Sequence, residues 1–185
     1  MDLYPELSLE LIACEQLGDL VAEGFDVAVR FGQPPSSSLI ARKLLETRTV
    51  TVASPIYIRK HGRPRTPADL VSHACIQMRS SVTGQPLEWQ YRSGRKNIPV
   101  KTSGRLLVSD VGTMLGACLA GTGIARFKAS GVQDLLEKGR LIELFTDCAG
   151  EMYSLYALYP SRHLPAAKVR AFIDFVIELL GAERT

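Results

Sequence analysis

The stretch Leu20-Val21-Ala22-Glu23-Gly24-Phe25-Asp26-Val27-Ala28-Val29-Arg30-Phe31-Gly32 decides the fold. Leu17, Leu20 and Val21 fall at helical spacing, and Gly24 is placed to stop that short helix. Asp26 to Phe31 then reads as an interior strand, closed by the breakers Gly32, Pro34 and Pro35 and the serines at 36 to 38. Upstream, Leu7, Leu9 and Leu11 alternate with Ser8 and Glu10, which is the period of a strand. Strand, helix, strand predicts a parallel pair joined by a crossover.

Working outward, a long extended region is expected from Leu39 to Ala53, with Val50 and Val52 alternating with Thr49 and Thr51. Ser54-Pro55 supplies an N-cap and a first-turn proline for a helix through Lys60, with Gly62 placed to end it. Thr66-Pro67-Ala68-Asp69 repeats that signal, with an acid in the position of the capping-box Glu or Gln. Strands are expected at 75–79, 87–92, around 98–100 and at 106–109. Ser109-Asp110 then caps a helix whose apolar positions are Val111, Met114, Leu115, Cys118 and Leu119, and Gly121 is its natural stop. Further strands are read at 124–127, 141–145 and 153–159. An amphipathic helix closes the chain, with Val169, Phe172, Ile173, Val176 and Leu180 on one face. Alternating strands and helices make this an α/β protein.

Composition narrows the function classes. A chain of 185 residues, 46% hydrophobic and 22% charged, can bury a substantial core. Its apolar runs, such as Phe175 to Leu180 interrupted by Glu178, fall far short of the roughly 20 residues that span a bilayer. The opening residues Met1 to Glu6 carry neither a basic leader nor an apolar stretch, so a cytoplasmic location is expected. Cys14, Cys75, Cys118 and Cys148 are scattered among apolar neighbours without a C-x-x-C pair, as reduced thiols are. A formal charge of +3 does not mark a nucleic-acid binder. The basic run Arg59 to Arg65 is broken by Gly62 and Pro64 and reads as a helix end followed by a solvated loop.

Several stretches, in this order, are similar to LysR-type transcriptional regulators. They are Leu20 to Gly32, Ser38-Leu39-Ile40-Ala41-Arg42-Lys43-Leu44, Ala53-Ser54-Pro55 with Tyr57, Leu119-Ala120-Gly121-Thr122-Gly123-Ile124-Ala125, Tyr156-Ala157-Leu158-Tyr159-Pro160-Ser161-Arg162, and Val169 to Phe175. The resemblance implies the effector-binding domain of such a regulator, with a fold like type 2 periplasmic binding proteins. Two α/β lobes are joined by two hinge strands, and a small-molecule effector sits in the cleft between them. It implies one lobe from residues 1–52 plus 152–185 and a second from 53–151. It also implies a homodimer or higher oligomer contacted through the helices around 17–21 and 111–119. In a typical member a winged helix-turn-helix, a linker helix and the first strand and helix of the sensing domain precede the segment Asp2 to Pro5. Those elements are absent here, so DNA contact is expected only through the missing N-terminal domain, and a sheet edge beside 7–12 and 26–31 is expected to lack its partner.

An anionic, carboxylated effector would favour helix N-termini, where free backbone N–H groups meet the helix dipole. Ser109, Asp110, Gly112 and Thr113 open one such helix, and Cys14 and Glu15 open the other. The same oxygens of Ser109 and Asp110 would also serve as plain caps. Arg30-Phe31-Gly32 ends a strand expected to be parallel, and such carboxyl ends face ligand crevices. Arg30 could fork onto a carboxylate and Phe31 could stack on an effector, against the alternative of a surface ion pair and a core phenyl. Met78 and Arg79 belong to the same class.

Gly121-Thr122-Gly123-Ile124-Ala125-Arg126 starts like a dinucleotide fingerprint but follows a helix and precedes a strand, so these glycines are read as a helix stop and tight turn. In the resembling family this stretch continues apolar toward a proline. Here Arg126-Phe127-Lys128 intervenes, and positive charge is expected near the cleft that the resemblance implies. No G-x-S-x-G, H-E-x-x-H or G-x-x-x-x-G-K-[ST] occurs, and no enzyme, cofactor or metal site is expected. His61, His73 and His163 read as solvated or capping residues. The competing reading is a periplasmic-type solute-binding protein without DNA regulation, which would require export.

Overall fold

The computed structural model describes residues 4–13, 18–34, 38–93, 96–148, 150–160 and 167–182. The chain divides into two compact units, residues 1–46 with 154–185, and residues 47–153. Two long strands run from one unit into the other: β2 (Leu39–Ala53) and, near the end of the chain, β9 (Met152–Pro160).

In the first unit β1 (Ala28–Phe31) pairs antiparallel with β9, Ala28 opposite Leu158 and Phe31 opposite Leu155. β9 in turn lies between β1 and β2. The last helix, α4 (Ala167–Ala182), lays Val169, Phe172, Ile173 and Ile177 against Ala157 and Tyr159. That stripe follows the 3.6-residue period, so Ile177 joins this cluster where the sequence reading had Val176 and Leu180. Lys168–Asp26 (2.6 Å) and Arg42–Asp174 (3.2 Å) are exposed ion pairs on this unit.

One expectation fails in this unit, and a second is only partly within the described residues. Leu7 to Leu11 forms no strand, and Leu9, Leu11 and Ile12 stay largely exposed. Alternation is not sufficient, because an extended segment is stable only when a ladder partner takes its backbone groups. Residues 9–13 instead face Ala28 to Arg30 across a cavity of about 270 Å³. The expected helix around residue 20 is, in its described part, one turn. Asp19 caps it by accepting from Val21 and Ala22 N–H, and Gly24 (φ +76°) ends it.

The second unit is centred on the far half of β2, which pairs antiparallel with β7 (Ala125–Lys128) and with β8 (Ile142–Leu144). α1 (Pro55–His61) starts as the sequence dictates: Tyr57 N–H donates to Ser54 Oγ at 3.3 Å, Pro55 opens the first turn, and Gly62 (φ +80°) ends it. Residues 67–72 wind as a 3₁₀ rather than an α-helix. Asp69 closes a capping box there, and the backbone N–H groups of Thr66 and Arg65 hold its carboxyl below the usual carboxylate range.

β3 (Ala74–Met78) runs parallel to β6 (Ser103–Val108), and β4 (Trp89–Ser93) forms an antiparallel hairpin with β5 (Lys96–Val100). α2 (Val111–Leu119) buries Met114 and Cys118 against Val52, Ile76 and Phe127, and a short α3 (Gln133–Glu137) follows β7. Gly121 (φ +81°) terminates α2, and Gly123 lets the chain pass the backbone of Ala74, where an added Cβ would meet the carbonyl oxygen at 2.7 Å. These two glycines are structural, as their order in the sequence implied. No helix among the described residues is long and apolar enough to cross a membrane.

Candidate functional site

The anticipated site residues divide between the two units. In the second unit the carboxyl ends of parallel strands β3 and β6 lie side by side, with Met78 opposite Val108 and Arg79 N–H donating to the Val108 carbonyl at 2.8 Å. Ser109 and Asp110 follow β6 directly and lead into α2, so Met78, Arg79, Ser109, Asp110, Gly112 and Thr113 gather at one end of this unit. Asp110 accepts from Thr113 N–H at 2.7 Å, and that bond holds its carboxyl below the ordinary range. The capping role of Asp110 is thus realised, and it places a negative charge where an anion would otherwise be drawn. Met78 packs against the core, while Arg79 is exposed beside Gly84.

Arg30, Phe31 and Gly32 close β1 in the first unit, with Gly32 (φ +99°) donating to the Ser154 carbonyl at 3.1 Å. The pairing of β1 with β9 is antiparallel, so the parallel-strand premise that selected these three residues does not hold for the described ladder. Cys14 and Glu15 lie outside the described residues.

A second constellation in the same unit as α2 stands on β7. Strand alternation sends Ala125 and Phe127 into the core and puts Arg126 and Lys128 on the other face. Their partners across the ladder are Thr51 and Thr49. Arg126 is only 11% exposed, and its guanidinium carbon lies 5.8 Å from the Trp89 ring and 5.3 Å from the Tyr91 ring. The Tyr91 hydroxyl is 2.7 Å from Thr51 Oγ1, and the Phe145 ring meets Tyr91 edge-on at 5.7 Å, so this aromatic wall is fixed. Glu151 stands 4.0 Å from Arg126 Nη2, beyond hydrogen-bonding reach, and accepts instead from Tyr153 Oη at 2.7 Å. Among the described residues Arg126 Nε is buried without a hydrogen-bond partner.

Lys128 Nζ rests 2.7 Å from the centre of the Tyr153 ring and 3.3 Å from Thr49 Oγ1. Burial, with Arg126 adding to it against the pull of Glu151, takes the Lys128 ammonium down to about 8. Burial first, then the bond to Glu151, pushes the Tyr153 phenol up to about 12. Arg126 and Lys128 could be singled out from the charged alternation on an otherwise apolar strand. Trp89, Tyr91, Glu151 and Tyr153 could not, because only the pairing of β2 with β7 and the placement of the β4–β5 hairpin bring them there.

The sequence profile of the LysR substrate binding domain family matches residues 1–181. The chain belongs to that family. Among LysR-type relatives, the transcriptional regulator PtxR of Pseudomonas aeruginosa is 33% identical over 180 residues, covering 97% of this chain and 57% of PtxR. YhjC of Escherichia coli, a transcriptional regulator, is 33% identical over 174 residues, 94% of this chain and 58% of its own length. The chain spans little more than half the length of these curated relatives. Of solved structures, the LysR-type regulator CrgA of Neisseria meningitidis superposes with a TM-score of 0.85 at 29% identity, covering 97% of this chain and 60% of CrgA. The Vibrio cholerae virulence activator AphB superposes with a TM-score of 0.77 at 32% identity, over 97% of this chain and 60% of AphB. The α/β, periplasmic-binding-protein-like reading of the sequence is that of these LysR regulatory domains.

Proposed function

We infer that this LysR substrate-binding domain is the sensing part of a transcription regulator, binding a small carboxylated metabolite and passing that event to a DNA-binding domain outside this chain. One observation carries the reading: the family match runs over residues 1–181 and so includes elements of both units. The relatives that resemble the chain over nearly all its length are regulators, which favours gene control over solute capture or catalysis. The preference for a carboxylate is supported by the two cationic side chains of β7, Arg126 and Lys128, on the strand face away from the core. A cytoplasmic site of action follows from a role at DNA.

Isothermal titration calorimetry of the chain against a panel of metabolites, half of them carboxylates and half neutral, tests this. Saturable binding of a carboxylate is expected, and a panel without any binder counts against sensing. Self-association through α2 and the turn near residue 20 accompanies the reading. Size-exclusion chromatography with light scattering should then report a dimer or larger, and a monomer at high concentration would remove that part.

A further inference from the structure

We propose that a cavity of about 400 Å³ between residues 66–71 and the β4–β5 hairpin is a second ligand site of the second unit, taking a compact, largely apolar organic molecule that carries one anionic group. The site goes beyond the sensing reading, because it lies at the opposite end of the parallel pair β3–β6 from Met78, Arg79, Ser109 and Asp110. Residues 66–71 lead into the amino end of β3, and Ile98 to Lys101 lead into that of β6. The length of β3, about 15 Å by strand geometry, separates the two places.

Pro67, Ala68 and Val71 line the cavity from the 3₁₀ turn, and Ile98, Pro99 and Val100 line it from β5. Val71 and Ile98 are 62% and 47% exposed, so apolar surface that folding has left uncovered is gathered around a concavity. A gap between two loose elements would close, but each of these is fixed by anchors of its own. Leu70, fully buried, and the capping box of Thr66 and Asp69 hold the turn. In the hairpin Trp89 pairs with Val100 and Tyr91 with Ile98, both rings are buried, and the Tyr91 hydroxyl meets Thr51 Oγ1 at 2.7 Å. The cavity is therefore preformed, and its volume falls in the range of roughly 300–1,000 Å³ usual for small-molecule sites. An apolar body entering it releases water from apolar walls without having to order them.

The charged side chains of the lining are Arg92 and Lys101, and no acid stands among the described lining residues, which disfavours a cationic ligand. Arg92 has an interaction of its own, so the anionic group is assigned to Lys101, whose flexible, exposed side chain can reach it.

Cys148 also lines the cavity and is partly buried, so its reactivity reports occupancy. The experiment titrates the chain calorimetrically with 1-naphthoate, with 1-naphthylmethylamine, which joins the same body to a cation, and with acetate, which is the anion without the body. Naphthoate should bind saturably, the amine at least about threefold more weakly, and acetate not at all. Saturating naphthoate should slow alkylation of Cys148 by iodoacetamide severalfold, read by mass spectrometry of the peptide that contains it. Ala68→Phe places a ring in the cavity and should abolish naphthoate binding, and Lys101→Glu should reverse the preference from the acid to the amine. Both positions are exposed, so these variants should fold like the parent, which circular dichroism checks. The site is overturned if naphthoate does not bind, if it binds without slowing Cys148 alkylation, or if Ala68→Phe binds it like the parent. An unchanged order of acid and amine in Lys101→Glu overturns the assignment of the anionic end.

Discussion

The two units differ most in how their cores are built. Among the described residues the second unit holds two buried apolar clusters, one around Val52, Ile76 and Phe127 and the other around Tyr57, Trp89 and Ile124. The clustered core of the first unit is Ala157, Tyr159, Val169 and Ile173, and its residues 9 to 12 leave Leu9, Leu11 and Ile12 facing solvent. Stability within a chain follows the density of buried apolar contact, so the second unit is the better-protected region and its opening the rarer event. The cationic side chains Arg126 and Lys128 of β7 stand on that better-packed half, beside the core that Ala125 and Phe127 enter.

The sharpest way to break this contrast is inside the richer core. Ile76→Ala, at a side chain 1% exposed, should cost about 2–5 kcal/mol in denaturant unfolding followed by circular dichroism. A smaller value would mean that the second unit is looser than its packing indicates. Thr51→Val removes the buried partner of the Tyr91 hydroxyl and should cost about 1–3 kcal/mol by the same measurement. It should also change the Trp89 emission if the aromatic wall depends on that bond.

Lys128→Met should act in the opposite direction in the absence of ligand. The folded chain lowers Lys128 to about 8 from the ordinary lysine value near 10.4, so between those limits the unfolded chain binds more protons. Stability of the parent therefore rises as the pH climbs from about 8 to 10.4. The substitution should abolish that rise and stabilise the neutral-pH protein by about 1 kcal/mol once solvent screening of a half-exposed group is allowed for. Thermal unfolding at a series of pH values reads both effects, and an unchanged slope would mean that Lys128 is not held as described. The smallest effect is expected in the first unit. Leu11→Ser, at a side chain 76% exposed, should alter stability by no more than about 0.5 kcal/mol. A loss near that of Ile76→Ala would show that residues 7 to 13 are packed in solution.

What could be read from the sequence follows the range of the interaction involved. Caps and stops at Ser54, Asp110, Gly62 and Gly121 were legible because each depends on neighbours within four residues. The faces of α2 and most of α4 were legible because helical period sets them. The antiparallel pairing of β1 with β9, residues more than a hundred positions apart, was not, and the expected strand at 7–12 failed for the same reason. Pairing partners are chosen by the whole chain. The same limit explains the site: Arg126 and Lys128 announced themselves as charges on an apolar strand, whereas their aromatic and acidic company comes from β4, from β9 and from Glu151 just ahead of β9.

The length of β2 has a consequence of its own. One uninterrupted strand of 15 residues is exposed over most of the stretch before Glu46, where Leu45 is its buried side chain, and buried residue after residue from Val50 to Ala53. Thr51, between Val50 and Val52, is itself only 3% exposed, so the far stretch has no solvent side on which a charge could be placed. Sequence drift is therefore open to the near stretch of β2 and closed to the far one, although both belong to the same strand.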